Sequence, residues 1–129
     1  MKIGELSKRT DCSVQTIRYY EKKRLLNVPH RSESNFRLYD QAALEQLMFI
    51  KSCRRLNLSL MEIKQLVDMR ESPNSQCEAV NILLDTHIFQ VEKHIKELQN
   101  LQGSLIALRG KCSNHQTVKD CGILLGLSN

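Results

Sequence analysis

From Gln76 to Arg109 the apolar residues recur on a seven-residue period, and no proline interrupts them. Cys77, Leu84, Val91, Leu98 and Leu105 occupy one repeating position, and Val80, His87, His94, Leu101 and Leu108 occupy the other. Such a repeat makes a long helix with one continuous apolar seam, and a seam of that length has to be covered. Residues 110–129 contain no helix of comparable length to cover it. A second copy of the chain is the natural cover, so residues 76–110 are expected to be a dimerisation helix and the protein a homodimer. The composition suits this: 129 residues, 41% hydrophobic, 26% charged and without tryptophan, describe a mainly α chain whose own core is modest.

Upstream, residues 1–70 read as a compact head. The run IGELSKRT (3–10) and the run that begins at Val14 form two short helices either side of a polar break, Asp11-Cys12-Ser13. Ser13 is placed to cap the second helix, because a serine hydroxyl accepts from the unpaired amides of a first turn. Ile3, Leu6, Val14 and Ile17 have the spacing of one shared buried face. The opposite face of the second helix carries Gln15, Thr16, Arg18 and Tyr19. Side chains that reach base edges stand there beside a guanidinium and a phenol suited to phosphate oxygens, as a major-groove recognition helix requires.

His30 to Tyr39 then alternates like two short strands around a polar hairpin, a wing that would carry Arg31, Arg37 and Tyr39 toward a phosphate backbone. Asp40 can cap a helix reaching about Arg55, with Leu44, Leu47, Met48 and Ile50 on its buried side. Ser59-Leu60-Met61-Glu62 is a capping box ahead of Ile63, Leu66 and Val67. Arg54, Arg55 and Asn57 between these helices suggest a second wing, and Glu71-Ser72-Pro73-Asn74-Ser75 breaks the chain.

The ordered set IGELSKRT, TIRYYEKKRLL and NFRLYD resembles the N-terminal domain of the MerR family of transcriptional regulators. The architecture expected is therefore a winged helix-turn-helix DNA-binding domain (1–70), a linker (71–75), a long antiparallel coiled-coil dimerisation helix (76–110), and a short metal-binding loop with a C-terminal segment (111–129). Charge follows this division. Residues 1–70 hold fourteen Lys and Arg against eight Asp and Glu, a balance of +6, whereas 71–129 hold five against six, or −1. A basic head implies double-stranded DNA as partner and binding that weakens steeply with salt. No paired carboxylates, nucleophile constellation or glycine-rich phosphate loop supports an enzyme. With no leader and no apolar run long enough to span a bilayer, the expected place is the cytoplasm, where the five cysteines stay reduced.

Three of those cysteines point to a sensor. A helix joining Cys77 to the neighbourhood of Cys112 is about 50 Å long, so the two thiols of one chain cannot hold the same small ion. An antiparallel dimer with its dyad near His94 and Ile95 brings Cys77 of one chain beside Cys112 of the other. Cys121 shares the loop of Cys112, and folding that loop back makes a three-cysteine site across the interface. Three thiolates favour soft ions such as lead, cadmium and mercury. Zinc prefers a fourth donor, for which His115, Asp120 and His87 are at hand. Cys12 and Cys53 lie outside that spacing and are read as packing residues; His30 and His94 are read as structural.

The resemblance extends along the whole chain. It implies that Cys77, Cys112 and Cys121 are the metal ligands, and that Glu62 and His87 are available to an auxiliary site. Cys112-Ser113 with KDCGILLGL (119–127) is most similar to the cadmium- and lead-responsive branch, so Cd(II) or Pb(II) is the expected effector, with Hg(II) or Zn(II) as alternatives. The implied mechanism is a dimer that grips a promoter and, once metal-bound, bends and underwinds it so that RNA polymerase engages both of its recognition elements. A thiol-based redox regulator on the same scaffold, pairing Cys112 with Cys121, is the competing reading.

Overall fold

The computed structural model describes residues 1–27, 30–31 and 37–128. It divides into two compact units, Met1–Leu83 and Leu84–Asn129. The polar tip of the expected wing, Ser32 to Phe36, lies outside the described residues.

The first unit begins with α1 (Ile3–Thr10) and α2 (Val14–Lys22). Asp11 ends α1 in the left-handed region at φ 55°, a conformation that a short polar side chain tolerates. The Ser13 hydroxyl then accepts from the Thr16 amide at 3.0 Å and starts α2. Leu6 and Ile17 are fully buried between the helices, and the buried Thr10 hydroxyl donates to the Leu6 carbonyl at 2.7 Å. Of the other two residues expected on that face, Ile3 packs against the core while Val14 is only half-buried. Tyr20, Leu25 and Leu26 fill the space instead.

Strands β1 (His30–Arg31) and β2 (Arg37–Leu38) pair antiparallel, His30 opposite Leu38 and Arg31 opposite Arg37. Helix α3 (Gln41–Arg55) starts where the Asp40 carboxylate accepts from the Ala43 amide at 2.9 Å. It buries Ala43, Leu47, Ile50 and Cys53. Of the expected face, Leu47 and Ile50 are fully buried and Leu44 packs against the core, whereas Met48 is 40% exposed. Helix α3 also ties down the preceding segments: Lys51 donates to the Thr10 carbonyl at 2.8 Å and Gln46 to the Leu25 carbonyl at 2.5 Å. Helix α4 (Leu60–Arg70) opens with the full capping box, Ser59 and Glu62 each bonding the other's amide, and buries Ile63, Leu66 and Val67. At its far end the Arg70 guanidinium lies 4.3 Å from the Phe49 ring centre, a cation–π contact that fastens α4 to α3.

Helix α5 (Glu78–Arg109) runs through both units. Its first turns belong to the core of the head, where Leu83 is buried and Val80 packs alongside. The compact unit thus continues past residue 70, and Val80 serves the head rather than the heptad seam. In the second unit α5 ends at Arg109, one turn of 3-10 helix follows at Val118–Asp120, and a short helix α6 (Gly122–Leu127) closes the segment. That closing helix was not anticipated. Among the described residues no helix is long and apolar enough to cross a membrane.

Candidate functional site

On α2, Gln15, Arg18 and Tyr19 are exposed together, with the Lys23 ammonium 5.7 Å from the Tyr19 ring centre. The Thr16 hydroxyl accepts from Ser13 at 2.7 Å and so belongs to the helix cap. The backbone puts Arg31 and Arg37 directly opposite each other in the β1–β2 pair.

Two expected phosphate contacts are engaged elsewhere. Tyr39 is buried at 2% exposure, and its hydroxyl donates to the Glu21 carboxylate on α2. It is a core strut between the residue after β2 and helix α2, because an aromatic ring next to an apolar core gains more from burial than from solvent. Arg54 donates to the Leu58 carbonyl at 2.9 Å and bonds the Tyr20 hydroxyl, whose pKa is raised chiefly by burial and pulled back by that guanidinium. Arg55 stays exposed at the end of α3.

The loop after α5 does fold back. The thiols of Cys112 and Cys121 come close enough to shift each other's ionisation, and the Cys112 thiol donates to the Ser113 carbonyl at 3.3 Å. Cys121 sits at the start of α6, where the Leu124 amide, the Cys112 thiol, the Ile123 amide and the Arg109 charge, in that order, hold its pKa below the ordinary thiol value against some desolvation. The Cys112 pKa is raised, first by its contact with Cys121, then by desolvation and by the neighbouring sulfur's charge, with the Gly122 amide and Arg109 in opposition. Of the two sulfurs, Cys121 is the more readily ionised, and both would lose their protons on binding a cation.

Gly122 makes the approach possible. A Cβ there would stand 2.3 Å from the Lys111 carbonyl oxygen and 3.2 Å from the Lys111 Cβ, so only glycine lets α6 return onto the end of α5. Side chains shape the rest of the loop. Arg109 donates to the Cys112 carbonyl at 2.6 Å and to the Asn114 side-chain oxygen at 3.3 Å, and the Ser113 amide donates to Gln116 Oε1 at 3.1 Å. Neither Gly122 nor Arg109 belongs to the residue types that mark a metal ligand in a sequence. The legible signals were a glycine immediately after Cys121 and a cation in the last turn before Cys112.

The remaining candidates do not join this pair. Among the described residues, no three His, Cys, Asp or Glu side chains gather into a cation-binding group. Cys77 is exposed, with its carbonyl accepting from Asn81 as α5 begins. His115 is exposed, His87 is half-buried on α5, and the Glu62 carboxylate is occupied by the Ser59 amide. Cys53 is buried with a pKa raised mainly by desolvation, and the Cys12 thiol donates to the Thr10 carbonyl at 3.7 Å; both behave as packing residues. Along the second unit, Leu84, Ile88, Val91, Ile95, Leu98 and Leu105 leave an apolar stripe exposed, Ile88 by 54% and Leu98 by 59%.

The family model described as MerR HTH family regulatory protein matches residues 1–70, and a second, described as MerR, DNA binding, matches 44–108. The chain is 46% identical over 111 residues to the HTH-type transcriptional regulator ZntR homolog of Haemophilus influenzae, covering 86% of this chain and 82% of that protein. It is 37% identical to ZntR of Escherichia coli K12, covering 98% and 91%. Among solved structures it is similar to the transcription regulator PbrR691 from Ralstonia metallidurans CH34 in complex with lead(II), with 49% identity, a TM-score of 0.90 and 98% of each chain covered. The regulator MerR from Bacillus megaterium MB1 in complex with mercury(II) aligns at 27% identity and a TM-score of 0.73 over the whole of both chains.

Proposed function

The chain belongs to the MerR family of helix-turn-helix transcriptional regulators, and on that premise we propose that it is a homodimeric metal sensor whose effector is Cd(II) or Pb(II). The observation that carries the sensor reading is the Cys112–Cys121 thiol pair, folded together by the loop after α5. Two adjacent sulfurs, one already inclined to ionise, suit a soft divalent cation far better than a hard one. The third sulfur is Cys77 from the partner, because no third donor gathers around the pair within the described residues of one chain. The likeness to the lead-bound and mercury-bound regulators supports a heavy cation, and that to the ZntR proteins keeps Zn(II) among the ions to be compared.

The exposed stripe on α5 supports the dimer. Leu84, Val91, Leu98 and Leu105 repeat every seven residues and are uncovered in the single chain. Pairing α5 antiparallel with its copy buries them and delivers Cys77 to the opposite Cys112–Cys121 pair, giving two sites per dimer.

The reading head uses Gln15, Arg18, Tyr19, Arg31, Arg37 and Arg55, set on a basic surface in the cytoplasm. Because Val80 and Leu83 at the start of α5 pack into the core of the head, a shift of one α5 against the other must move the heads. Cation capture then tilts the two heads on the operator and bends the DNA, so that polymerase reads a promoter it otherwise engages poorly. Coupling of about 1–3 kcal/mol between the sites and the DNA is the ordinary scale for such a switch.

The test is transcription in vitro from the protein's own promoter, titrated under reducing conditions with Pb(II), Cd(II), Hg(II), Zn(II) and Cu(I). Replacing Cys77, Cys112 or Cys121 singly with serine should abolish induction and leave operator affinity near that of the parent. Equal loss of DNA binding in all three variants would make the cysteines structural. The paired thiols also suit a redox regulator, and induction by a disulfide oxidant with no response to any cation would favour that reading.

A further inference from the structure

The thiol pair has a support that the ligand set alone does not account for. Arg109, the last residue of α5, holds both backbone polar groups of Cys112: its guanidinium donates to the Cys112 carbonyl at 2.6 Å, and its own carbonyl accepts from the Cys112 amide at 3.4 Å. The other arm of the same guanidinium donates to the Asn114 side-chain oxygen at 3.3 Å. A planar fork that spans two acceptors restricts a turn more than a single flexible donor would, because the two bonds fix its orientation as well as its position. On the opposite side, Gly122 is pressed against the Lys111 carbonyl, so the Cys121 end of the loop approaches a Cys112 that is already held.

We propose that Arg109, acting through Asn114 and the Cys112 backbone, is the positioning residue of the thiol site, the group that keeps the Cys112 sulfur within reach of Cys121. This rests on the sensor reading for its biological meaning, but its geometry can be tested without it. Without the fork, the turn at residues 112–114 has more conformations to lose on ligation, and the two-thiol site binds more weakly. The guanidinium has a second consequence. Three thiolates around a divalent cation leave one surplus negative charge, and Arg109 lies beside two of the sulfurs.

The probe is phenylarsine oxide, which bridges two neighbouring thiols. Two S–H bonds and the As=O bond break, two As–S bonds form, and water leaves, with no change of oxidation state. The full-length protein carrying Cys77→Ser confines the reaction to one chain, peptide mapping identifies the bridged Cys112–Cys121 segment, and competition with a small dithiol gives the affinity. Adding Arg109→Gln should weaken capture about tenfold, the scale of a charge-assisted hydrogen bond, and Asn114→Ala should weaken it about threefold. Arg109→Lys keeps the charge without the fork and should stay within about twofold of Arg109→Gln.

Capture by Arg109→Gln equal to the parent would overturn the proposal, as would full rescue by lysine, which would make the role purely electrostatic. Far-ultraviolet circular dichroism checks the helix content of each variant, and Asn114→Ala carries the test if Arg109→Gln fails to fold. Cd(II)-dependent transcription by the unmodified protein is a separate arm. If it is absent while arsenical capture still depends on Arg109, the sensor reading falls and the positioning role stands. If it is present while arsenical capture ignores Arg109, the positioning role falls alone.

Discussion

Replacing Gly122 with alanine isolates the close approach that assembles the thiol pair. Glycine is not needed there for its backbone conformation, since the structure describes no glycine with positive φ. Alanine would even favour the first turn of α6, by up to about 1 kcal/mol. The obstacle is contact: the added methyl carbon would stand 2.3 Å from the Lys111 carbonyl oxygen, whereas ordinary contact begins near 3.4 Å. The two backbones must therefore part by about 1 Å, and overpacking of this kind costs about 1–3 kcal/mol. A carbonyl at a helix end cannot rotate aside like a side-chain tip, so the short α6 yields instead. Its retreat withdraws the Gly122 amide from Cys112 and separates the two sulfurs. If ligation must restore that geometry, affinity for Cd(II) falls about 5- to 150-fold. The assay is competition against a chromophoric chelator, with thermal unfolding followed in parallel. Cadmium affinity equal to the parent, with α6 still helical, would refute the reasoning. The main unfolding transition should hardly move, because the buried core around Leu6, Ile17, Leu47, Ile50 and Ile63 lies in the other compact unit.

Three further outcomes are expected. Ile95→Asp puts a charge on the exposed stripe of α5 and should shift sedimentation from dimer toward monomer; an unchanged dimer would remove the stripe from the interface. Arg18→Ala should weaken operator binding and reduce the slope of log affinity against log salt by about 1, leaving cation stoichiometry unchanged; a full-strength slope would mean that Arg18 touches no phosphate. Cys112→Ala removes a neighbouring thiol that, after the Leu124 amide, helps to lower the Cys121 pKa, so that pKa should rise. The midpoint of its iodoacetamide alkylation should then move to higher pH, and a midpoint that stays put or falls would contradict the influence of Cys112 on Cys121.

Much of the scaffold was legible because its signals are local. Ser13, Asp40 and Ser59 each cap the helix they were expected to cap, since a cap requires only a side-chain oxygen within three residues of a free amide. Folding of residues 112–121 into a loop with its ends together was legible from the two cysteines themselves. What failed to read through concerns which way a side chain turns. Tyr39, in a basic wing, looks like a phosphate contact, but its ring is in the core and its hydroxyl bonds Glu21, eighteen positions earlier in the chain. Met48 looks like core but is 40% exposed, while Ala43 and Cys53 join Leu47 and Ile50 on the buried side of α3. Arg54, exposed like Arg55, also bonds Leu58 and Tyr20, contacts that its place in the chain does not announce.

Taken alone, the order of residues determined the family, the capped helices of the head, a long helix with a repeating apolar seam, and which thiols to watch. These follow from periodicity and from contacts only a few residues apart, where chain connectivity already brings the groups together. Tertiary structure decided the rest: Val80 and Leu83 go to the head, Tyr39 becomes a strut, Gly122 lies against the Lys111 carbonyl, and Arg109 bonds the Cys112 carbonyl. Each of those outcomes depends on surfaces brought together by packing. A difference of about 1 Å between backbones, invisible in the residue order, settles whether a side chain fits.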